Sequence, residues 1–383
     1  MKNSKFIIGI DATNLNYGGG KTHLIELLKV ADPIQHKFSK IIVWAARETL
    51  NSIDDKDWII KISPLTKNNL IFRLLWQYLS LSNQAQKLKC NILFVPGGIY
   101  IGNFINVVTM SQNLLPFVQK EYERYNFTSK ILKLFLLRHV QSYSFKKARG
   151  IIFLTDHAKK TIHNIVGILN SKSAIIPHGL NRRFIVNENL NLKKQKNTTK
   201  VIKILYVSHI ELYKHQWNVI EGLAKLREEN CNVSLNLVGS PGLGIKKLKF
   251  AIKKYDPNGE WINFQDHVEY DKMHLIYQNF NFGIFASSCE NLPITLLEMI
   301  GSKMRIACSN ISPMTEILGN KGVYFDPTDP ISIADAIKKL IDFEIQDDLE
   351  IDDKFLKKFI EKYNWKNTAK LTFNFLNQFR KNL

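Results

Sequence analysis

Short runs of β-branched and other apolar residues alternate with amphipathic helical patterns along nearly the whole chain, and they do so in two series. The first series has strand-like runs at Phe6–Ile10, Ile41–Ala45, Trp58–Ile62, Ile92–Val95, Val107–Met110, Ile151–Leu154 and Ala174–Ile176. Helical patterns at Lys21–Val30, Leu70–Lys87, Ser129–Lys147 and Asp156–Val166 separate most of them. The second series has strands at Lys203–Val207, Ser234–Val238, Trp261–Phe264, Phe282–Ala286, Met304–Cys308 and Val323–Phe325. Its helices lie near Trp217–Glu229, Gly244–Lys254, Lys272–Gln278, Ile294–Ser302 and Ile331–Phe343. Continuous apolar strands are buried on both faces, and a strand–helix–strand order implies parallel pairing. The pattern predicts an α/β chain of two Rossmann-like, doubly wound domains facing a central cleft, with ligands at the carboxyl ends of the strands.

A polar stretch rich in Asn and Lys, Asn181 to Lys200, parts the two series and reads as a linker. The expected division is residues 1–180, a linker at 181–200, a second domain at 201–364, and an amphipathic helix at 365–383 bearing Leu371, Phe373, Phe375, Leu376 and Phe379. A length of 383 residues suits two domains. With 45% hydrophobic residues each half can bury a core, which excludes a disordered or fibrous chain.

The net charge of +19 is unevenly spread. Residues 1–180 hold 24 Lys and Arg against 10 Asp and Glu, and residues 181–383 hold 29 against 24. Lys120 to Arg149 alone has eight bases and two acids, interleaved with Tyr122, Tyr125, Phe127, Phe135, Tyr143 and Phe145. A basic helix with aromatics can lie on an anionic bilayer. The same pattern also suits a solvated helix that packs its Leu and Phe inward.

Cys90, Cys231, Cys289 and Cys308 are too far apart in sequence for a CxxC pair, so they are expected to be reduced, mostly core thiols. The N-terminal apolar run is too short for a signal peptide, and Ile131–Val140 is broken by Lys133 and Arg138. The expected location is the cytoplasm, with peripheral contact at the inner face of the cytoplasmic membrane.

Three motifs carry chemistry. Gly18, Gly19 and Gly20 stand between the first strand and a helix, where backbone N–H groups suit an anion. Gly20-Lys21-Thr22 lacks the upstream glycine of a P-loop, because position 15 is Leu15. A phosphate or sugar contact and a plain tight turn both remain open for it. The second motif is Glu290-Asn291-Leu292-Pro293-Ile294, with Glu298 further along, after the Phe282–Ala286 strand. Glu290 falls at the strand's carboxyl end, and Pro293 suits a first helical turn. The third is Ser208-His209 with Lys214, placed between a strand and a helix, where a cation can clamp a diphosphate.

Together these pieces resemble the retaining glycosyltransferases of family 4, which have the GT-B fold and nucleotide-sugar donors. The resemblance takes in the glycine run, Pro177-His178-Gly179, Ser208 to Lys214, Gly239 after the next strand, the Glu290/Glu298 pair, and Ser312 to Ile317. It implies a hexosyltransferase that moves a hexose from a UDP- or GDP-sugar to a saccharide acceptor, lipid-linked, in O-antigen, lipopolysaccharide or capsule synthesis. Glu290 and Lys214 take the catalytic roles. Ser208, His209, Gly239, Asn291, Leu292, Pro293, Ile294 and Glu298 bind the donor, Glu298 through the ribose. Gly18, Gly19, Gly20, Asn113 and His178 form the acceptor or phosphate loop. The first domain takes the acceptor, and the last helix crosses back to it.

Three positions depart from the family pattern. Ser208-His209 stands where Gly-Arg is usual, Gln112-Asn113 where a histidine is frequent, and His267 where a glycine is frequent. The implied partners are a nucleotide sugar, a saccharide or lipid-linked acceptor and an anionic membrane. No cofactor or metal is expected, because no DxD-type acidic pair lies near the diphosphate. A nucleic-acid-binding protein using the basic half competes with this reading, but no helix-turn-helix, RNA-recognition or zinc signature appears. A catalytically inactive relative is the other competitor, on the strength of Ser208-His209.

Overall fold

The strands of the computed structural model pair in parallel, in two sheets. Described are residues 6–64, 70–126, 128–186, 201–266, 268–280, 282–342 and 349–380. His267 and residues 187–200 of the polar stretch lie outside them. Two units result. The first comprises Met1–Tyr122, Asn126–Gly179 and Lys362–Leu383, and the second Glu123–Tyr125 and Leu180–Glu361.

In the first unit the strands are β1 (Ile7–Asp11), β2 (Lys40–Trp44), β3 (Ile59–Ile62), β4 (Ile92–Val95), β5 (Val107–Met110), β6 (Gly150–Phe153) and β7 (Lys172–Ile175). Their order is β3-β2-β1-β4-β5-β6-β7, with Ile8 level with Ile41 on one side and Ile92 on the other. Ile8, Ile10, Ile41, Val43, Ile92 and Phe94 are fully buried, as strands covered on both faces require. The crossovers β3→β4 and β5→β6 run in the same direction. Right-handed connections therefore put their helices on one face and the Gly18–Val30 helix on the other.

The Leu70–Lys87 pattern is broken in a way that helical periodicity does not show. It runs as Leu70–Trp76, a π-helical turn at Gln77–Leu81, and Ser82–Lys87. The wider turn brings Gln77 Nε2 to Asp11 Oδ2 at 2.6 Å and to the Ile99 carbonyl at 2.9 Å. The Trp365–Asn377 helix, capped by the Asn364 side chain, belongs to this unit. Thr368 Oγ1 donates to the Pro177 carbonyl at 2.9 Å, and Phe373 stacks on His36 with ring centres 4.8 Å apart.

The second unit contains β8 (Ile202–Val207), β9 (Val233–Val238), β10 (Ile262–Gln265), β11 (Phe282–Phe285), β12 (Arg305–Ser309) and β13 (Gly322–Phe325), in the order β10-β9-β8-β11-β12-β13. Ile204, Leu235, Ile284 and Ile306 are fully buried at its centre. The chain direction across the sheet reverses between β8 and β11, which pair directly, Ile204 opposite Phe282 and Leu205 opposite Gly283. Such a reversal opens a crevice at the carboxyl ends of two neighbouring strands.

The start of the polar stretch is not a free linker. Arg182–Phe184 forms a 3₁₀ turn, and Phe184 is buried against the rings of Tyr270 and Tyr277. Its carbonyl accepts from Ser302 Oγ at 3.2 Å. One apolar residue in a polar run is enough to dock it when the core offers an aromatic slot. Cys90, Cys289 and Cys308 are buried free thiols, and Cys231 is half-buried.

Candidate active site

Two loops leave the carboxyl ends of β8 and β11 side by side. The β8 loop passes through a 3₁₀ turn, Leu212–Lys214, and reaches the Gln216–Glu228 helix through His215, held left-handed at φ 50°. The β11 loop runs from Ala286 to Pro293, where the Ile294–Gly301 helix starts. The loops are stapled together: Ser288 N donates to the Tyr213 carbonyl at 2.9 Å, and His215 Nε2 bonds Ser288 Oγ at 2.9 Å. Burial drives the His215 imidazole down to a pKa of about 3, so it serves this contact uncharged.

The staple brings Lys214 Nζ and Glu290 Oε1 into an ion pair. Both side chains are nearly closed off from solvent, at 10% and 14% exposure. The lysine is fixed further by the Tyr206 hydroxyl, which donates to its carbonyl at 2.6 Å, and by the Phe285 ring 4.9 Å from Nζ. Two opposite charges fixed at strand ends, with little water between them, make a strong local field.

Glu298 is a different kind of carboxyl. It lies inside the Ile294–Gly301 helix, 2% exposed, and accepts from the Tyr277 hydroxyl at 2.9 Å. Burial pushes its pKa up to about 7, against the lowering pull of the Tyr277 and Tyr270 hydroxyls and the Arg183 guanidinium. Arg183 itself pairs with Asp271. Tyr277, Tyr270 and Arg183 are absent from the sequence reading. They lie too far along the chain from Glu298 for spacing to join them. Gln216 and His215 were also missed, although they directly follow Lys214.

Ser208 and His209 face different ways. Ser208 is buried, its Oγ accepting from Gln216 Nε2 at 2.8 Å, and its N–H donates to the Val238 carbonyl at 2.9 Å. His209 is exposed, and its Nδ1 donates to the Ser240 carbonyl at 3.0 Å. Gly239 sits where a Cβ would come within 1.9 Å of the Ser208 carbonyl oxygen. Only glycine lets the β8 and β9 loops approach so closely. Asn291 and Leu292 are buried, Pro293 caps the helix and Ile294 begins it.

The remaining expected residues belong to the first unit. Gly18–Gly20 are not a loop ahead of a helix but its first turn, since the helix runs Gly18–Val30. A Cβ on Gly20 would meet Gln112 Oε1 at 2.6 Å. Asn113 is exposed, and its Oδ1 accepts from Leu115 N at 3.0 Å, which starts a turn at Leu115–Phe117. His178, expected on a phosphate loop, is instead an interior residue at 4% exposure. Its Nδ1 lies 2.8 Å from Nδ1 of His23, and Trp365 packs its ring against both. Burial holds His178 well below the usual histidine range, with His23 adding to the effect.

Residues 187–372 match the family model described as glycosyl transferases group 1. Over 115 residues, 30% of the chain, the sequence is 28% identical to the UDP-N-acetylglucosamine–peptide N-acetylglucosaminyltransferase GtfA subunit of Streptococcus parasanguinis. Over 88 residues, 23% of the chain, it is 27% identical to O-antigen chain mannosyltransferase B of Escherichia coli. The chain spans about a fifth of the length of these curated relatives, 22% of each. Among solved structures, sucrose-phosphate synthase from Thermosynechococcus elongatus superposes with a TM-score of 0.77 at 13% identity, over 98% of this chain and 99% of that one. Anabaena HepE in complex with UDP-glucose gives 0.72 at 14% identity, over 97% and 99%. WaaG, described as a glycosyltransferase involved in lipopolysaccharide biosynthesis, gives 0.71 at 12% identity, over 96% and 99%. At these identities the likeness is one of fold, and the fold is GT-B.

Proposed function

We propose that the chain is a group 1 glycosyltransferase, the family whose model matches residues 187–372, and that it moves a hexose from a nucleotide-diphosphate sugar to a saccharide acceptor, with retention of anomeric configuration. The observation that carries this reading is the Lys214–Glu290 pair at the carboxyl ends of β8 and β11, with Glu298 on the helix that follows. As a nucleoside diphosphate departs, negative charge grows on its leaving oxygen. A fixed lysine stabilises that charge more than it stabilises the bound donor, and this difference is what lowers a barrier. Glu290 holds the lysine in place and lies beside the sugar carbon that becomes oxocarbenium-like, which a carboxylate favours. Glu298 takes the ribose hydroxyls, and Asn291 to Ile294 wrap the sugar and diphosphate. His209, whose Nδ1 is taken by the Ser240 carbonyl, stands in place of the family's arginine and donates a hydrogen bond to the donor from its other ring nitrogen. No resident metal is needed for these steps, because Lys214 supplies the positive charge.

The donor is a UDP- or GDP-sugar. We read the acceptor as lipid-linked, in surface-polysaccharide synthesis at the inner face of the cytoplasmic membrane; the polysaccharide part is supported by the relative named as an O-antigen chain mannosyltransferase. Thermal-shift screening with UDP, GDP and ADP sugars tests the donor. One base is expected to stabilise the chain, by roughly 2–3 kcal/mol at a hundredfold excess over Kd. Mass spectrometry with lipid-linked saccharides then identifies the product. No stabilisation by any nucleotide sugar, and no transfer, would overturn the proposal.

A further inference from the structure

In the second unit, the chain around the Arg182–Phe184 turn packs on the Ile294–Gly301 helix, which carries Glu298. Val186 N donates to the Gly301 carbonyl at 3.2 Å, and Ser302 Oγ donates to the Phe184 carbonyl at 3.2 Å. Gly301 leaves room for this approach. A Cβ there would stand 2.6 Å from Leu180 Cδ2 and 3.1 Å from the Phe184 carbonyl oxygen. The turn is fixed from within by Asn181, whose Oδ1 accepts from Arg183 N at 3.2 Å.

Phe184 is a wedge. Its ring, 1% exposed, meets those of Tyr270 and Tyr277 with centres 5.7 Å away in each case. The two tyrosines stand at the ends of one helical stretch, Tyr270–Lys272 followed by Met273–Tyr277. The Tyr277 hydroxyl donates to Glu298 Oε2 at 2.9 Å, and the Tyr270 hydroxyl also favours the ionised carboxyl. Arg183 does the same from the other side of the wedge. Its guanidinium carbon lies 5.3 Å from the Tyr270 ring centre, and it pairs with Asp271. Glu298 Oε1 is buried with no hydrogen-bond partner among the described residues. One oxygen is thus held while the other keeps its lone pairs for a donor. Docking a connecting segment needs only the apolar contact of Phe184; it needs neither the tyrosine hydroxyls nor the arginine.

We propose that the Arg182–Phe184 turn is a positioning element of the donor site, orienting Glu298 toward the ribose of a nucleoside diphosphate through Tyr270 and Tyr277. Phe184 sets the two rings, Tyr277 holds Oε2, and Oε1 takes ribose hydroxyls. Ribose hydroxyls bond a carboxylate better than a carboxylic acid, so the Arg183 charge strengthens the contact and Asp271 tempers it. The groups that face Glu298 are Tyr277, Tyr270 and Arg183, with Asp271 paired to the arginine and His274 edge-on to Phe184; its own helix has no other ionisable residue. The inference deepens the nucleotide-sugar reading and rests on it.

The test is calorimetric titration of the full chain with UDP and GDP at about pH 7 and about pH 9. Each variant's Kd is read as a ratio to the parent's at the same pH, which cancels the titration of the nucleotide itself. Arg183→Gln removes the cation and leaves Asp271 unpaired. It should weaken binding roughly twofold at pH 7 and match the parent at pH 9. Tyr277→Phe keeps the ring and removes the hydrogen bond; it should weaken binding about fivefold at pH 7, again with recovery at pH 9. Asp271→Asn, at an exposed side chain, should act in the opposite sense and tighten binding at pH 7. A nucleotide analogue lacking both ribose hydroxyls should bind the parent and all three variants alike. Ratios that do not change with pH would make the turn mere packing and overturn the proposal. So would losses that the hydroxyl-free analogue shares. A parent that binds neither UDP nor GDP overturns the nucleotide-sugar reading itself, whereas a parent that binds, with variants whose ratios stay flat, overturns the role of the turn alone.

Discussion

The two sheets share one plan, parallel strands whose order reverses near the middle, yet the two reversals hold different groups. In the second unit the reversal between β8 and β11 holds an ion pair, Lys214 with Glu290, and a buried carboxyl, Glu298, lifted to about 7. In the first unit the reversal at β1 and β4 holds Asp11, buried, bonded by Thr13 and Gln77 and within reach of the Arg73 charge, with its pKa raised by burial, and the unit also turns two imidazoles inward. Burial drives His23 down to about 4, and His178 also falls. The fold sets the position of the edge, and side chains decide what that edge can do. The second unit sets a nearly enclosed ion pair at its reversal; the first displays cations and apolar side chains on its outer helices.

The sharpest way to break this contrast is at Lys214 and Glu290. Glu290→Gln and Lys214→Met should each lower turnover by about a thousandfold, near 4 kcal/mol of transition-state stabilisation. Each also leaves one nearly enclosed charge without its partner, so each should cost about 3 kcal/mol of stability. The double variant Lys214→Met/Glu290→Gln removes both charges. It should recover much of that stability, as urea titration will show, while turnover stays lost. If turnover returns together with stability, the pair is only a structural clasp.

What was legible in the sequence follows the range of the forces involved. The Ser129–Lys147 and Asp156–Val166 helices fall where their patterns put them, the second closed by the Thr155 side chain accepting from Ala158 N and by Gly167. Those signals lie within a turn or two of each other. Ile92–Val95 and Val107–Met110 were visible as strands because both faces are apolar. The two carboxylates and Lys214 were visible as residue types at strand ends. What they touch was not. Tyr277 precedes Glu298 by 21 residues, and His178 meets a histidine 155 residues away. The π turn at Gln77 exists because Asp11 and Ile99 lie opposite it. The glycines at 18–20 looked like a loop because glycine disfavours helices, but a side chain at Gly20 would strike Gln112.

Glu298 sharpens the comparison by its sign. Its folded pKa, about 7, stands above the ordinary 4.5, so the folded state holds the proton more tightly than the unfolded chain. The stability this supplies is complete below about pH 4.5 and is lost as pH rises through 7. Relative to Glu298→Gln, the parent should lose roughly 3 kcal/mol between those limits. His215 in the same unit titrates in the opposite sense, so the readout is the difference between the two proteins in urea titrations across pH. The variant should also lose donor stabilisation, since an amide accepts ribose hydroxyls less well than a carboxylate. A flat difference across pH would place the Glu298 carboxyl in water.

The first unit should answer with the reverse slope. His23 is neutral when folded, with a pKa near 4 against an ordinary 6.5, so the unfolded chain takes the proton first. The stability it supplies is present above pH 6.5 and is lost as pH falls toward 4. The geometry gives the same answer without titration arithmetic. With the two Nδ1 atoms 2.8 Å apart, one must donate and the other accept, and protonating both leaves two donors facing each other. Between pH 6.5 and 5 His23 alone should cost the unit roughly 2 kcal/mol, and His178 acts in the same sense. His23→Leu leaves one imidazole and should flatten that slope by the His23 share. The measurement is hydrogen exchange of amides in Gly18–Val30 and Trp365–Asn377, the helices the pair and Trp365 tie together. Faster exchange on acidification in the parent, muted in His23→Leu, is expected in these helices and not in Ile294–Gly301, where Glu298 drives the opposite trend. Equal acid sensitivity in both proteins would mean the imidazoles are not what unit one loses first.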